Sequence, residues 1–454
     1  MSRLQNIISN KKVLFQPKNL LLSYLIAFGF GVLIGFKVIP VNALAVVYLM
    51  VVGVCIILFV KGDVENIFKW LPYVMYLEVY MRAFARWVPY LTIQYLYIFG
   101  FGMLFVKGSS MKGNHFKGFL LLLAFSFLEL VNNLHPYDPA NTRAVLVNSL
   151  SLLLPVMWAS YNDFKPVLIN KFLINIKIAG VLLSGIVFVA HVTGSIDYGL
   201  FSNSEASNGL APVQLSGYLG FVCILFFLSI MNAEEKINRT TNLIIFSVVL
   251  IMMVLTFSRG GVYFLLAVVL LYIYYNKNKM GNYFKLVGLI PVFYILYTVV
   301  VDKTGGKIVE RYEQEGTSNR DVLVDIGFQL FWKNPIFGVG TGNYNIAIMK
   351  EHLFSQNSGA HNEFVRAAAE HGIIGIFCYW TFFLMLFLNI NRRPQPQKQY
   401  AMYFLALFTL IIIHNGLKIS IQPLILMLAI GTPGLAYLKN KNVSIRDFRQ
   451  PVIA

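Results

Sequence analysis

Three residues of this chain have the types and settings to handle an anion and a hydroxyl together: Arg259, Arg320 and His361. Arg259 stands in Thr256-Phe257-Ser258-Arg259-Gly260-Gly261, between two apolar blocks with almost no loop around it. A guanidinium this close to hydrocarbon is costly unless it is paired or functional. The plainer reading is a side chain that snorkels to the outer interface. Arg320 opens a stretch of helical apolar spacing, where its fork of donors and the free N–H groups of a helix start suit an anion. The plainer reading is a solvated arginine, or the partner of a nearby carboxylate. His361, in Gly359-Ala360-His361-Asn362-Glu363, falls where the chain re-enters an apolar block. Imidazole is the side chain best suited to take a proton from a hydroxyl near neutral pH. The plainer reading is a polar residue at a helix start, with Asn362 as N-cap. Acting together, the arginines would grip a lipid pyrophosphate as leaving group while His361 activates an attacking sugar hydroxyl.

Four more residues form a second tier. Arg366 and Glu370 are at i,i+4 and either reach substrate or pair with each other. Arg82 and Arg86 have the same spacing in Met81-Arg82-Ala83-Phe84-Ala85-Arg86-Trp87. On one helix face they would extend an anion-binding path; otherwise they anchor an interface beside Trp87. No Asp-x-Asp pair occurs, and the carboxylates expected outside show no ligand-like clustering, so no metal and no cofactor is implied. Gly338, Gly340 and Gly342, in GVGTGNY, lack the strand–loop–helix setting of a nucleotide loop and read as a tight turn over the membrane mouth.

These residues must be positioned by membrane helices. Of 454 residues, 57% are hydrophobic and only 13% charged. The apolar residues come in continuous blocks long enough to cross about 30 Å of hydrocarbon as helix, which argues against a β-barrel. Candidate spans run approximately 19–36, 41–61, 69–82, 88–106, 117–133, 145–160, 172–193, 211–231, 241–258, 260–276, 284–300, 364–390, 400–417 and 420–438. The third and sixth are short, so the expectation is an all-α polytopic membrane protein with 12–14 transmembrane helices. Placing the N-terminus inside and alternating puts most of the 37 Lys and Arg in inside segments. The positive-inside bias then makes both termini cytoplasmic, and the net charge of +17 needs no nucleic acid. Cys55, Cys223 and Cys378 lie within apolar blocks as small hydrophobes.

The chain divides into 1–300, holding eleven spans; 301–360, one large extracytoplasmic loop expected to be catalytic; and 361–454, the last spans and a cytoplasmic tail. A loop this long among tight connections is usually functional. Within it, Asn319 to Lys333 reads as an amphipathic helix with Val322, Leu323, Ile326, Leu330 and Phe331 on one face, Ser318 or Asn319 as cap, and Asn334-Pro335 as stop.

The ordered set Ser258-Arg259-Gly260-Gly261, Arg320, Asn334-Pro335-Ile336-Phe337-Gly338, His361-Asn362-Glu363 and Glu370-His371-Gly372-Ile373-Ile374-Gly375 resembles the O-antigen ligase/polymerase family (Wzy-type polymerases and WaaL-type ligases). The resemblance implies a GT-C-like inverting glycosyltransferase of the bacterial cytoplasmic (inner) membrane. Its donor would be an undecaprenyl-pyrophosphate-linked oligosaccharide, used on the outer face. Arg259 and Arg320 would bind the pyrophosphate and His361 would serve as base. The acceptor would be a glycan on a second lipid for a polymerase, or lipid A-core for a ligase. The number of spans and the polar loop favour the polymerase slightly. A chain-length regulator is a further candidate partner, beside the lipid bilayer. The rival of another class is a lipid-linked oligosaccharide flippase. It would need no long loop bearing Arg and His, and it would carry more charge inside its spans than Glu78, Glu129 and Lys177.

Overall fold

The computed structural model describes residues 20–107, 116–132, 138–162, 164, 166–194, 196–232, 236–314, 320–351, 353 and 359–431. Both tails expected to be cytoplasmic lie outside the described residues, as do Ser318 and Asn319. The described chain is helical and contains no strand.

The helices are α1 Leu20–Gly35, α2 Val41–Lys61, α3 Val64–Phe84, α4 Thr92–Val106, α5 Phe119–Val131, α6 Pro139–Tyr161, α7 Pro166–Thr193, α8 Pro212–Asn232 and α9 Lys236–Val254. They continue as α10 Gly260–Tyr275, α11 Met280–Val287, α12 Ile290–Lys303, α13 Lys307–Gln314, α14 Arg320–Lys333, α15 Tyr344–Lys350, α16 Glu363–Asn391, α17 Gln397–Asn415 and α18 Gln422–Gly431. The expected spans coincide with helices, 284–300 being divided between α11 and α12; residues 432–438 of the last lie outside the described residues. Among the described residues, six stretches are long and apolar enough to cross a membrane alone, and six more are apolar but only 10–17 residues long. The protein is therefore an all-α, multi-pass membrane protein.

Local sequence sets the boundaries. Gly62 takes a left-handed φ of 77° to end α2, and the Asp63 carboxylate then accepts from Asn66 N–H at 3.2 Å to start α3. Asp138 caps α6 directly before Pro139. The central helix is α8, in which every residue from Leu215 to Leu228 is buried. It is apolar all round because it meets protein on all sides. Around it pack α3, α7, α9, α10 and α17. The three cysteines are buried.

The long loop departs from its expected form. Beside the expected helix, α14, its described residues form α13 and α15. Leu323, Ile326 and Leu330 of α14 join Tyr344, Ile348, Ala360 and Ala369 in a small separate core. Val322 was expected on that face but is 41% exposed. This core is fastened to a break in α16. Gly372 has φ 61° and ψ −148°, so α16 is two helices meeting at a kink. Such a φ suits glycine, and a side chain there would also strike the Ile336 carbonyl. The kink frees backbone groups, and the loop takes them up. Val339 N–H donates to Ala369 O at 2.9 Å, Gly340 N–H to Glu370 O at 3.0 Å, and Ile373 N–H to Pro335 O at 2.8 Å. Asn132, past the end of α5, donates to Phe337 O at 2.8 Å and to Glu370 O at 3.0 Å. The three glycines 338, 340 and 342 all have positive φ, in keeping with a tight turn.

Candidate active site

The turn bearing Arg259 is held by the central helix. Ser216 of α8 donates its hydroxyl to Ser258 O at 3.0 Å and accepts from Gly261 N–H at 2.9 Å. The side of Gly261 lies against Gly220 of α8, close enough that a methyl on Gly220 would meet Gly261 Cα at 2.8 Å. Phe257 turns the chain with a φ of 58°, and Arg259 then sits at the N-terminus of α10, half-buried.

Arg320 starts α14 and reaches down to the last turn of α17. Its Nη1 meets the imidazole of His414. That ring is set edge-on against Tyr263 and Phe264, at centroid distances of 6.4 and 6.0 Å. Gly260 completes the seat, since a side chain there would press on the His414 ring. His414 thus ties the Arg259 turn to Arg320. Burial, and then the charges of Arg259 and Arg311, lower the pKa of Arg320. Arg320 makes no ion pair with any described residue.

His361 lies in the same cluster. Asn362 caps α16 as expected, accepting from Phe364 N–H at 3.0 Å. His361 itself takes a left-handed φ of 50°, a strained backbone for a non-glycine residue and one that recurs at functional sites. Its Nδ1 is enclosed and has no hydrogen-bond partner among the described residues. Burial, then Lys418, then Arg320, push its pKa down to about 4. The imidazole is therefore neutral at pH 7 and able to accept a proton.

The three residues singled out in the sequence are thus brought together, and three others join them: Arg311, His414 and Lys418. Lys418 follows α17, and burial lowers its pKa while the Glu363 carboxylate opposes this. The signal for His414 and Lys418 was slight. The run His414-Asn415-Gly416-Leu417-Lys418 is polar and closes a span on the side that alternation assigns as outside.

The second-tier residues go elsewhere. Arg366 and Glu370 do pair, at 2.7 Å, but within a larger buried cluster. Arg366 also meets Glu363 at 2.5 Å and Glu129 of α5 at 2.6 Å. His371 is buried beside it, 3.9 Å from Glu129. The Arg82–Arg86 pair does not form one helix face. Helix α3 ends at Phe84, so Arg86 lies beyond it and is exposed. Arg82 turns inward to Glu78 at 3.0 Å and Gln94 at 3.1 Å, and its guanidinium lies over the Tyr90 ring. The i,i+4 inference failed because the helix stops between the two arginines.

The fold and site define a multi-pass membrane protein with a cationic cluster, holding a neutral histidine, under a loop core fixed to the helix bundle. Residues 243–380 match the family model Wzy_C, O-antigen ligase. Over that segment, which contains Arg259, Arg320 and His361, the chain is similar to O-antigen ligases. No curated protein matches the chain.

Proposed function

We propose that the protein transfers a glycan from an undecaprenyl-pyrophosphate-linked donor to a hydroxyl acceptor on the outer face of the bacterial cytoplasmic membrane, most simply as a polysaccharide polymerase. The observation that carries this reading is a neutral His361 flanked by Arg320 and Lys418, with Arg259 beside Arg320. A group of cations with a base in its midst suits a reaction whose leaving group is a polyanion.

In the proposed step the acceptor oxygen attacks the anomeric carbon opposite the pyrophosphate. The acceptor C–O bond forms as the bond from carbon to the phosphate oxygen breaks, which inverts the centre. The acceptor proton passes to the His361 imidazole, and the electron pair leaves on the pyrophosphate. The guanidinium forks of Arg259 and Arg320 stabilise that charge, so the step needs no metal. An apolar cavity of about 440 Å³ supports a lipid donor. Leu250, Val254, Val262, Phe293 and Tyr312 line it, and Tyr312 feels the charges of Arg259 and Arg311. A polyprenyl chain could lie there with its pyrophosphate at the arginines.

Reconstitution tests the reading. Purified protein in proteoliposomes is given a synthetic lipid-pyrophosphate-linked repeat unit, with and without lipid A-core. A ladder from donor alone is expected. Product formed only with lipid A-core would make the protein a ligase. No transfer from folded protein under either condition would overturn the reading and favour a flippase.

A further inference from the structure

The connection between α17 and α18 is short, yet it is held from several sides. Leu417 N–H donates to Glu363 at 3.2 Å. Arg82 donates to Lys418 O at 3.4 Å. Gln422 accepts from Ile419 N–H at 3.0 Å and donates to Gly416 O at 2.6 Å. Ser420 donates to Glu78 at 2.5 Å, and its carbonyl accepts from Tyr97 at 2.9 Å. The backbone from Gly416 to Ser420 is thus fixed by side chains of α3, α4, α16 and α18. The Lys418 ammonium is not among the groups so engaged. It makes no ion pair with any described residue, and it is exposed although protein surrounds it, as in a side chain lining a cleft. It lies beside Gly359, where an added Cβ would come within 3.0 Å of Nζ, and close enough to His361 to act on its charge. The carboxylate it feels, Glu363, is already engaged by Arg366 and by Leu417 N–H.

A fixed turn presenting an ammonium with no ion-pair partner among the described residues, beside a base that Arg320 also flanks, calls for an anion. We propose that Lys418 is a ligand of the donor's pyrophosphate, completing from the C-terminal side the cation set begun by Arg259 and Arg320. This rests on the lipid-pyrophosphate reading above. Arg82 then serves as a positioning residue for Lys418 and does not itself touch substrate. A further consequence concerns the base. His361 faces Arg320 from α14, His414 from α17, Lys418 from the connection, and Glu363 from the start of α16. The set is cationic on balance, so the imidazole is a weak base until a bound pyrophosphate offsets the cations. Donor binding therefore prepares the base for the acceptor.

The test uses full-length protein in nanodiscs, with inorganic pyrophosphate as probe and calorimetry as readout. Lys418→Met is expected to weaken binding about 10- to 100-fold, the effect of one charge-assisted contact, and Lys418→Arg to restore most of it. In the Met variant the acid limb of kcat/KM should move to higher pH, since a cation that holds His361 neutral is gone. A merely structural lysine would not move that limb. On the wild-type protein, pyrophosphate should slow acylation of Lys418, read by mass spectrometry, which needs no folded variant. Unchanged binding and an unmoved limb in Lys418→Met, or no protection of Lys418, would overturn the proposal while normal wild-type transfer left the donor reading standing. A wild-type protein that neither binds pyrophosphate nor transfers from the donor would overturn both.

Discussion

Two charged regions adjoin in this molecule and are built on opposite plans. Around Arg366, three carboxylates surround one guanidinium, and the side chains of Glu129, Glu363 and Glu370 are at most 3% exposed. Around His361, the charges acting on Arg320 and His361 are cationic, and those side chains are only half-buried. Burying an ion is expensive, and a region that closes over its charges must supply opposite ones. A region that leaves like charges together at an accessible cleft has left a place for something else. Glu363 marks the boundary, with one oxygen on Arg366 and the other on the turn that carries Lys418. The difference separates an arginine enclosed by carboxylates within the fold from the arginines that, in the proposed function, hold the substrate.

Substitutions can break this comparison on either side. The largest effect is expected from Arg320→Lys or Arg259→Lys. Either should cost about 10²- to 10³-fold in transfer with unfolding unchanged, because a point charge does not reproduce the fork. Retained activity in both would remove the clamp. Arg366→Met should act the other way round. It strands three buried carboxylates, so a loss of about 3–5 kcal/mol of stability is expected, seen in thermal unfolding before any specific change in donor KM. A stable variant with a raised KM would instead move Arg366 into the binding site. Gly260→Ala should be milder, about 1–3 kcal/mol, and should lower transfer by displacing His414 from Arg320. Wild-type kinetics there would detach His414 from the account. Least of all, Arg86→Ala should change stability by no more than about 0.5 kcal/mol, because the side chain is exposed beyond the end of α3. A marked loss of transfer would restore it to an anion path.

The helices, and the setting of Arg259, Arg320 and His361, were legible because their signals are local. Hydropathy placed the spans on helices, and Arg259, Arg320 and His361 each stand at the end of an apolar block or in the one long loop. What was not legible depends on distance. Glu129 comes to Arg366 from 237 residues away, and nothing about either residue alone names the other. His414 and Lys418 lie beyond the matched segment 243–380 and enter the site only because α17 packs beside α10. Arg82 and Arg86 misled because spacing was read without the helix end that divides them. The kink at Gly372 had no sequence signal beyond the glycine itself, since what maintains it is the loop that packs there.

The most direct test of the central claim is transfer from a lipid-pyrophosphate donor by purified His361→Ala, run beside wild type over a range of pH. With its pKa held near 4, His361 stays neutral as pH falls from 7, so wild-type kcat/KM should hold until about pH 4 and then drop as the base is protonated. The Ala variant should unfold at the same temperature as wild type and lose transfer at every pH by about 10²-fold or more. Near-normal transfer by folded His361→Ala, with the same acid limb, would contradict the account.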